Sequence, residues 1–132
     1  MLADLTVLIV EDHPDIRISL ERVVASWPGA SVFSADNFLS AAVWIKTVEK
    51  IDLLLCDVYF PGKMAGIDIA ALAVVTHPHI AVVMTSPRQR SAVEGLIDRY
   101  RFVRTPFEQA DIIEQIDEAF IQIEVDRANA GA

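Results

Sequence analysis

Two apolar runs that do not alternate set the architecture of this chain. Leu5-Thr6-Val7-Leu8-Ile9-Val10 and Ile51-Asp52-Leu53-Leu54-Leu55-Cys56 are apolar at nearly every position. A strand with one wet face alternates, whereas a near-continuous run belongs to a strand buried on both faces, as in a parallel sheet covered by helices. Ala30–Ser34, Ile80–Met84 and Phe102–Arg104 read as three further, shorter strands. An apolar share of 53%, above the globular average, agrees with doubly buried strands.

The intervening segments have helical periodicity. Pro14 suits a helix start, where its missing N–H is harmless, and Ile16, Leu20, Val23 and Val24 form a stripe to about Ser26, before Pro28-Gly29. Asp36 or Asn37 can cap a second helix carrying Leu39, Ala42, Val43, Trp44, Ile45 and Val48. A third helix is expected over Ile67–Thr76, stopped by His77-Pro78-His79, and a fourth over Ser91–Tyr100, with Gly95 inside it. The last runs from about Glu108 to Asp126 on Ile112, Ile113, Ile116, Phe120 and Ile123, leaving Arg127–Ala132 as a frayed tail.

Strands alternating with helices predict an α/β fold, a doubly wound (βα)5 unit with helices on both faces of a five-stranded parallel sheet. Right-handed crossovers leave few topologies, and the flavodoxin-like order 2-1-3-4-5 is the usual one at this size. The 132 residues make a single domain with a core over about 4–126. In that order strands 1 and 3 are neighbours, and ligands bind beyond their carboxyl ends.

Acids stand at both of those ends: Glu11-Asp12 after the first run and Asp57 after the third strand. Two like charges about 4 Å apart repel by roughly 4 kcal/mol at an effective dielectric near 20. Three carboxylates in one pocket therefore call for a cation, and an all-oxygen donor set suits a hard ion such as Mg²⁺.

The net charge of −8 argues against nucleic-acid binding by this domain. No uncharged apolar stretch of about 18 residues offers a membrane span, and Asp4 with no basic segment is unlike a signal peptide. Cys56 is the one cysteine and reads as a small buried strand residue, so a reducing cytoplasm is the expected location. His13 reads as an exposed loop histidine rather than a transition-metal ligand. His77 and His79 lie apart from the acids in a turn.

Val7-Leu8-Ile9-Val10-Glu11-Asp12-His13-Pro14, Leu54-Leu55-Cys56-Asp57 with Pro61 and Gly66 beyond it, Val83-Met84-Thr85-Ser86 and Thr105-Pro106-Phe107 fall in order at the ends of strands 1, 3, 4 and 5. Together they resemble the receiver domain of response regulators in bacterial two-component signal transduction, over essentially the whole chain. The resemblance implies that Asp57 is a phosphoacceptor taking a phosphoryl group from a sensor histidine kinase or a histidine phosphotransfer protein. It implies Mg²⁺ held by Glu11, Asp12, Asp57 and the backbone carbonyl of Tyr59. Thr85 would hydrogen-bond the phosphoryl group, with Ser86 the small residue beside it, and Phe102 would be the switch aromatic. Such a domain is a signalling phosphoprotein with autodephosphorylation at most, not a metabolic enzyme. It acts alone or as an excised receiver, as a homodimer or on a downstream protein, through the surface of helix 4, strand 5 and helix 5.

Two features depart from that pattern. Thr105 stands where the family has lysine, immediately before Pro106. With Glu11, Asp12, a phosphoryl group of nearly −2 and a divalent cation, the site then keeps a net charge of about −2 rather than about −1. Alternation turns Arg104 away if Thr105 faces the site, so Arg88, and after it Arg90, is the expected substitute charge. There is also one extra residue between Pro61 and Gly66. Thr105 leaves open a pseudo-receiver that binds partners without phosphorylation. A haloacid-dehalogenase-type phosphatase would want an acid two residues past Asp57, where this chain has Tyr59.

Overall fold

The computed structural model describes residues 4–60 and 65–131. Five parallel strands, β1 (Thr6–Val10), β2 (Ser31–Ala35), β3 (Leu53–Asp57), β4 (Ala81–Ser86) and β5 (Arg101–Arg104), form one sheet in the order β2-β1-β3-β4-β5. Four α-helices connect or follow them: α1 (Pro14–Ala25), α2 (Phe38–Thr47), α3 (Ala65–Thr76) and α4 (Gln109–Ala130). The doubly wound flavodoxin-like architecture is as expected from the strand runs.

The consecutive apolar positions feed two cores. Leu8, Val10, Leu54, Cys56, Val82 and Met84 face α2 and α3, meeting Ala41, Ile45, Ile69, Ala70 and Ala73. Val7, Ile9, Leu53, Leu55, Ala81 and Val83 point the other way, onto Leu20, Val23 and Val24 of α1 and Ile112, Ile116, Ala119 and Ile123 of α4. Every residue of β3 and β4 is buried, which is why neither strand alternates in sequence.

The fourth expected helix does not form. Between β4 and β5 there is only a 3-10 turn at Arg90–Ala92, followed by turns. Val93, Leu96 and Tyr100 have helical spacing, but Gly95 adopts φ +87°, outside the helical region. A Cβ there would come within 2.9 Å of Ile67 Cγ2, so the segment lies close against α3. It is anchored by buried Val93 and Tyr100 and by the Arg99 guanidinium, which donates to the carbonyls of Pro78 at 3.1 Å and Ile80 at 2.7 Å. The surface expected from helix 4, strand 5 and helix 5 accordingly has a loop in place of its first helix.

The tail is a second correction. α4 continues through Ala130 rather than fraying at Arg127, and Gly131 closes it by donating its N–H to Arg127 O at 3.0 Å. Ala128 and Ala130 favour helix intrinsically, and Arg127 lies 3.7 Å from Glu124 one turn back. Among the described residues no helix is long and apolar enough to cross a membrane. Pro61, and with it the extra residue before Gly66, lies outside the described residues.

Candidate functional site

The register of the central strands assembles the acids. Val10 pairs with Cys56, so Glu11 leaves β1 just where Asp57 ends β3. The Glu11 N–H donates to Ala35 O at 3.0 Å, which ties this strand end to β2. Asp12 follows, and His13 takes the cap position of α1 with Pro14 behind it. Ligand-capable atoms of Glu11, Asp12, His13 and Asp57 all lie within 4.8 Å of one another.

Burial divides the group. Glu11 is 1% exposed and Asp57 6%, whereas Asp12 is half-buried and the His13 side chain is 67% exposed. Glu11 Oε2 accepts the His13 N–H at 3.2 Å, but Glu11 Oε1 is buried with no hydrogen-bond partner. Asp57 Oδ1 accepts the Tyr59 N–H at 3.3 Å. Burial first, then the charge of Asp57, pushes the Glu11 carboxyl up to about 7. Burial likewise raises Asp57 to about 6, partly opposed by the Tyr59 N–H. The carboxylates of Asp12 and then Glu11 raise the His13 imidazole.

Gly66 lets α3 begin against this pocket. Its N–H donates to Val58 O at 3.1 Å, and a Cβ in its place would overlap the Asp57 carbonyl oxygen and lie 2.8 Å from Val58 Cα. Any side chain there would push on the backbone that carries Asp57.

β4 brings the hydroxyl. Thr85 pairs with Asp57 across the β3–β4 ladder, and its carbonyl accepts the Val58 N–H at 2.9 Å. Thr85 is fully buried, and its Oγ1 has no partner among the described residues. Ser86 is also buried, and its Oγ accepts the Arg88 N–H at 3.0 Å, fixing the start of the following loop. An orphaned buried hydroxyl forgoes roughly 1–3 kcal/mol, so Thr85 and Glu11 Oε1 are two groups that a bound ligand would satisfy.

On the positive side, Arg104 points away from the acids as alternation implies, and Arg88 makes no ion pair with them among the described residues. Thr105 is half-buried and donates its N–H to Ser86 O at 2.8 Å. Arg104 is exposed, with Nε donating to Pro87 O at 2.9 Å, away from the acids. The Arg88 guanidinium lies over the Tyr59 ring, 5.5 Å from its centre. Arg90 opens the 3-10 turn at the surface. Among the described residues, no lysine or arginine forms an ion pair with Glu11, Asp12 or Asp57. The titratable base next to them is His13, with Nδ1 3.3 Å from Asp12 Oδ1 and 3.5 Å from Glu11 Oε2, a cation when protonated. The sequence reading placed His13 correctly at the surface but missed its turn back toward the acids. Phe102 pairs with Met84, one step before the Thr85–Val103 pair, and packs half-buried against the α2–α3 core.

Oxygen donors from two strand ends, one of them buried without a partner, fit a divalent cation. Glu11, Asp12 and Asp57 are the side chains that could hold it.

Comparison with known proteins gives a consistent picture. No curated protein sequence matches the chain significantly. Among solved structures, a response regulator receiver protein from Sinorhizobium medicae superposes with a TM-score of 0.80 at 18% identity, over 93% of this chain and 99% of its own. A CheY-like receiver domain protein from Methanospirillum hungatei gives a TM-score of 0.74 at 20% identity, over 92% and 98%. The receiver domain of the hybrid histidine kinase CckA gives 0.67 at 22%, over 87% and 98%. At such identities these establish a shared fold. The family model described as response regulator receiver domain matches residues 7–117, and the chain belongs to that family.

Proposed function

We propose that this domain is a phosphoacceptor in which Asp57 receives a phosphoryl group from the phosphohistidine of a kinase or phosphotransfer protein in the cytoplasm. The observation that carries this reading is the convergence of Glu11, Asp12 and Asp57 beside the fully buried, unpartnered hydroxyl of Thr85. An Asp57 carboxylate oxygen attacks phosphorus, the nitrogen–phosphorus bond breaks, and the donor imidazole leaves with a proton from solvent. The product is an acyl phosphate, later cleaved by water at phosphorus to return the carboxylate and inorganic phosphate.

Glu11, Asp12 and Asp57, with the Tyr59 carbonyl, would hold Mg²⁺, which when bound supplies charge neutralisation for the phosphoryl oxygens and the acids. Thr85, paired with Asp57 on the neighbouring strand, would donate its hydroxyl proton to a phosphoryl oxygen. The Tyr59 N–H, already bonded to Asp57 Oδ1, orients the nucleophile. Arg88, held over Tyr59, is the arginine from which a substitute for the absent lysine would swing inward. Phe102 is the aromatic that would follow Thr85 when it moves.

Incubation with Mg²⁺ and acetyl phosphate, read by intact-mass spectrometry, tests the proposal. One phosphoryl increment is expected in the wild type and none in Asp57→Asn. No increment from any small donor or histidine kinase would instead favour a phosphorylation-independent binding module, the reading to which Thr105 lends its support.

A further inference from the structure

The cation pocket contains a donor that an oxygen-only site lacks. His13 sits at the N-cap of α1 in extended conformation (φ −85°, ψ 115°), and its side chain makes no cap hydrogen bond. The ring instead turns back over the acids, with Nδ1 3.3 Å from Asp12 Oδ1 and 3.5 Å from Glu11 Oε2. Two donors bound to one ion at about 2.0–2.4 Å lie roughly 3–3.5 Å apart. The spacing of the imidazole nitrogen from both carboxylates is therefore that of co-ligands. Glu11 belongs to this group and is 1% exposed, and its Oε1 has no hydrogen-bond partner among the described residues. A bound cation would satisfy such an oxygen.

Resting on the cation site proposed above, we propose that His13 is a nitrogen ligand of that site, so that it takes borderline transition divalents such as Mn²⁺ and Co²⁺ in preference to Mg²⁺. The chemistry follows from donor type. Mg²⁺ demands hard oxygen ligands in near-ideal octahedral geometry and gains little from an imidazole. Mn²⁺, Co²⁺ and their neighbours bind imidazole readily, with affinity rising along the series. Because His13 is exposed on its outer side, it can settle onto an ion without disturbing the core, while Glu11 and Asp57 remain fixed by the strand ends.

The test uses the full chain at pH 8 with Mn²⁺ as the probe, observed by pulsed electron paramagnetic resonance, and with Mg²⁺ as competitor. Nitrogen hyperfine modulation is expected from Mn²⁺ on the wild type and should vanish in His13→Gln, a neutral replacement at an exposed position. Mn²⁺ affinity should fall about 10-fold or more in that variant, while Mg²⁺ affinity changes less than about 3-fold. Mn²⁺ that binds and is displaced by Mg²⁺ but shows no nitrogen modulation would overturn the role of His13 and leave the oxygen site standing. Equal Mn²⁺ affinity in wild type and His13→Gln would do the same. Failure of both ions to bind would remove the cation site itself, and this inference with it.

Discussion

The β1–β3 side of the strand ends and the β4–β5 side are built on different terms. On the first, Glu11 and Asp57 are buried, held by backbone hydrogen bonds to Ala35, His13 and Tyr59, and walled by a glycine that admits no side chain. On the second, Thr105 is half-buried at the end of β5, Arg88 stacks on Tyr59, and a loop anchored by Val93, Arg99 and Tyr100 stands where a helix was expected. In the proposed function the rigid side carries the acids that would hold a cation and accept a phosphoryl group. The altered side carries those that would register its arrival. The acids proposed for capture thus lie at the ends of β1 and β3, while Thr85 on β4 would link capture to readout.

The largest effect expected is on the rigid side. Gly66→Ala forces a methyl group against the Asp57 carbonyl and Val58 Cα, and should cost about 3 kcal/mol or more in urea unfolding. Gly95→Ala on the altered side meets the Ile67 Cγ2 methyl, a side-chain atom rather than backbone, at a positive φ, and should cost less, about 2 kcal/mol. Equal losses would mean that the two sides are equally constrained.

Next comes pH. Without metal, Glu11 titrates at about 7 and Asp57 at about 6, both above their ordinary 4.5 and 3.8. The folded chain therefore binds protons more tightly than the unfolded one, and this stability is present below the ordinary values and lost as pH rises through about 6 and 7. His13, also raised, acts in the same direction. In chelator, unfolding free energy should fall by on the order of 2 kcal/mol between pH 5 and 8, and saturating Mg²⁺ should restore most of it at pH 8. Stability that is flat, or rising with pH, would contradict the buried-acid account.

Arg88→Ala should give the smallest change in stability, under about 0.5 kcal/mol for an exposed side chain. It should nonetheless alter the lifetime of the acyl phosphate several-fold. An unchanged rate of transfer and an unchanged lifetime would remove Arg88 from the site.

The strands and the acid pocket were legible because each is a local signal, an apolar run ending in a carboxylate, with the parallel order supplying the juxtaposition. The missing helix was not, since Val93, Leu96 and Tyr100 suit a helical stripe and serve equally as anchors of an extended loop. Only Gly95 hinted at it, and its cost of roughly 1 kcal/mol in a helix does not decide the matter alone. The turn of His13 toward the acids and the stacking of Arg88 on Tyr59 depend on where a loop places a long side chain, which spacing does not encode. Thr105 and the outward turn of Arg104 were legible in sequence, but only the structure shows Arg88 stacked on Tyr59.

The central claim is that phosphoryl capture rests on Glu11, Asp12, Asp57 and Thr85 and does not need a lysine at position 105. Intact-mass kinetics with acetyl phosphate and saturating Mg²⁺, run on the wild type and on Thr105→Lys, test it most directly. The account predicts one phosphoryl group on both proteins, with initial rates within about tenfold and any larger difference confined to acyl-phosphate lifetime. A wild type that stays unmodified while Thr105→Lys becomes phosphorylated would contradict it.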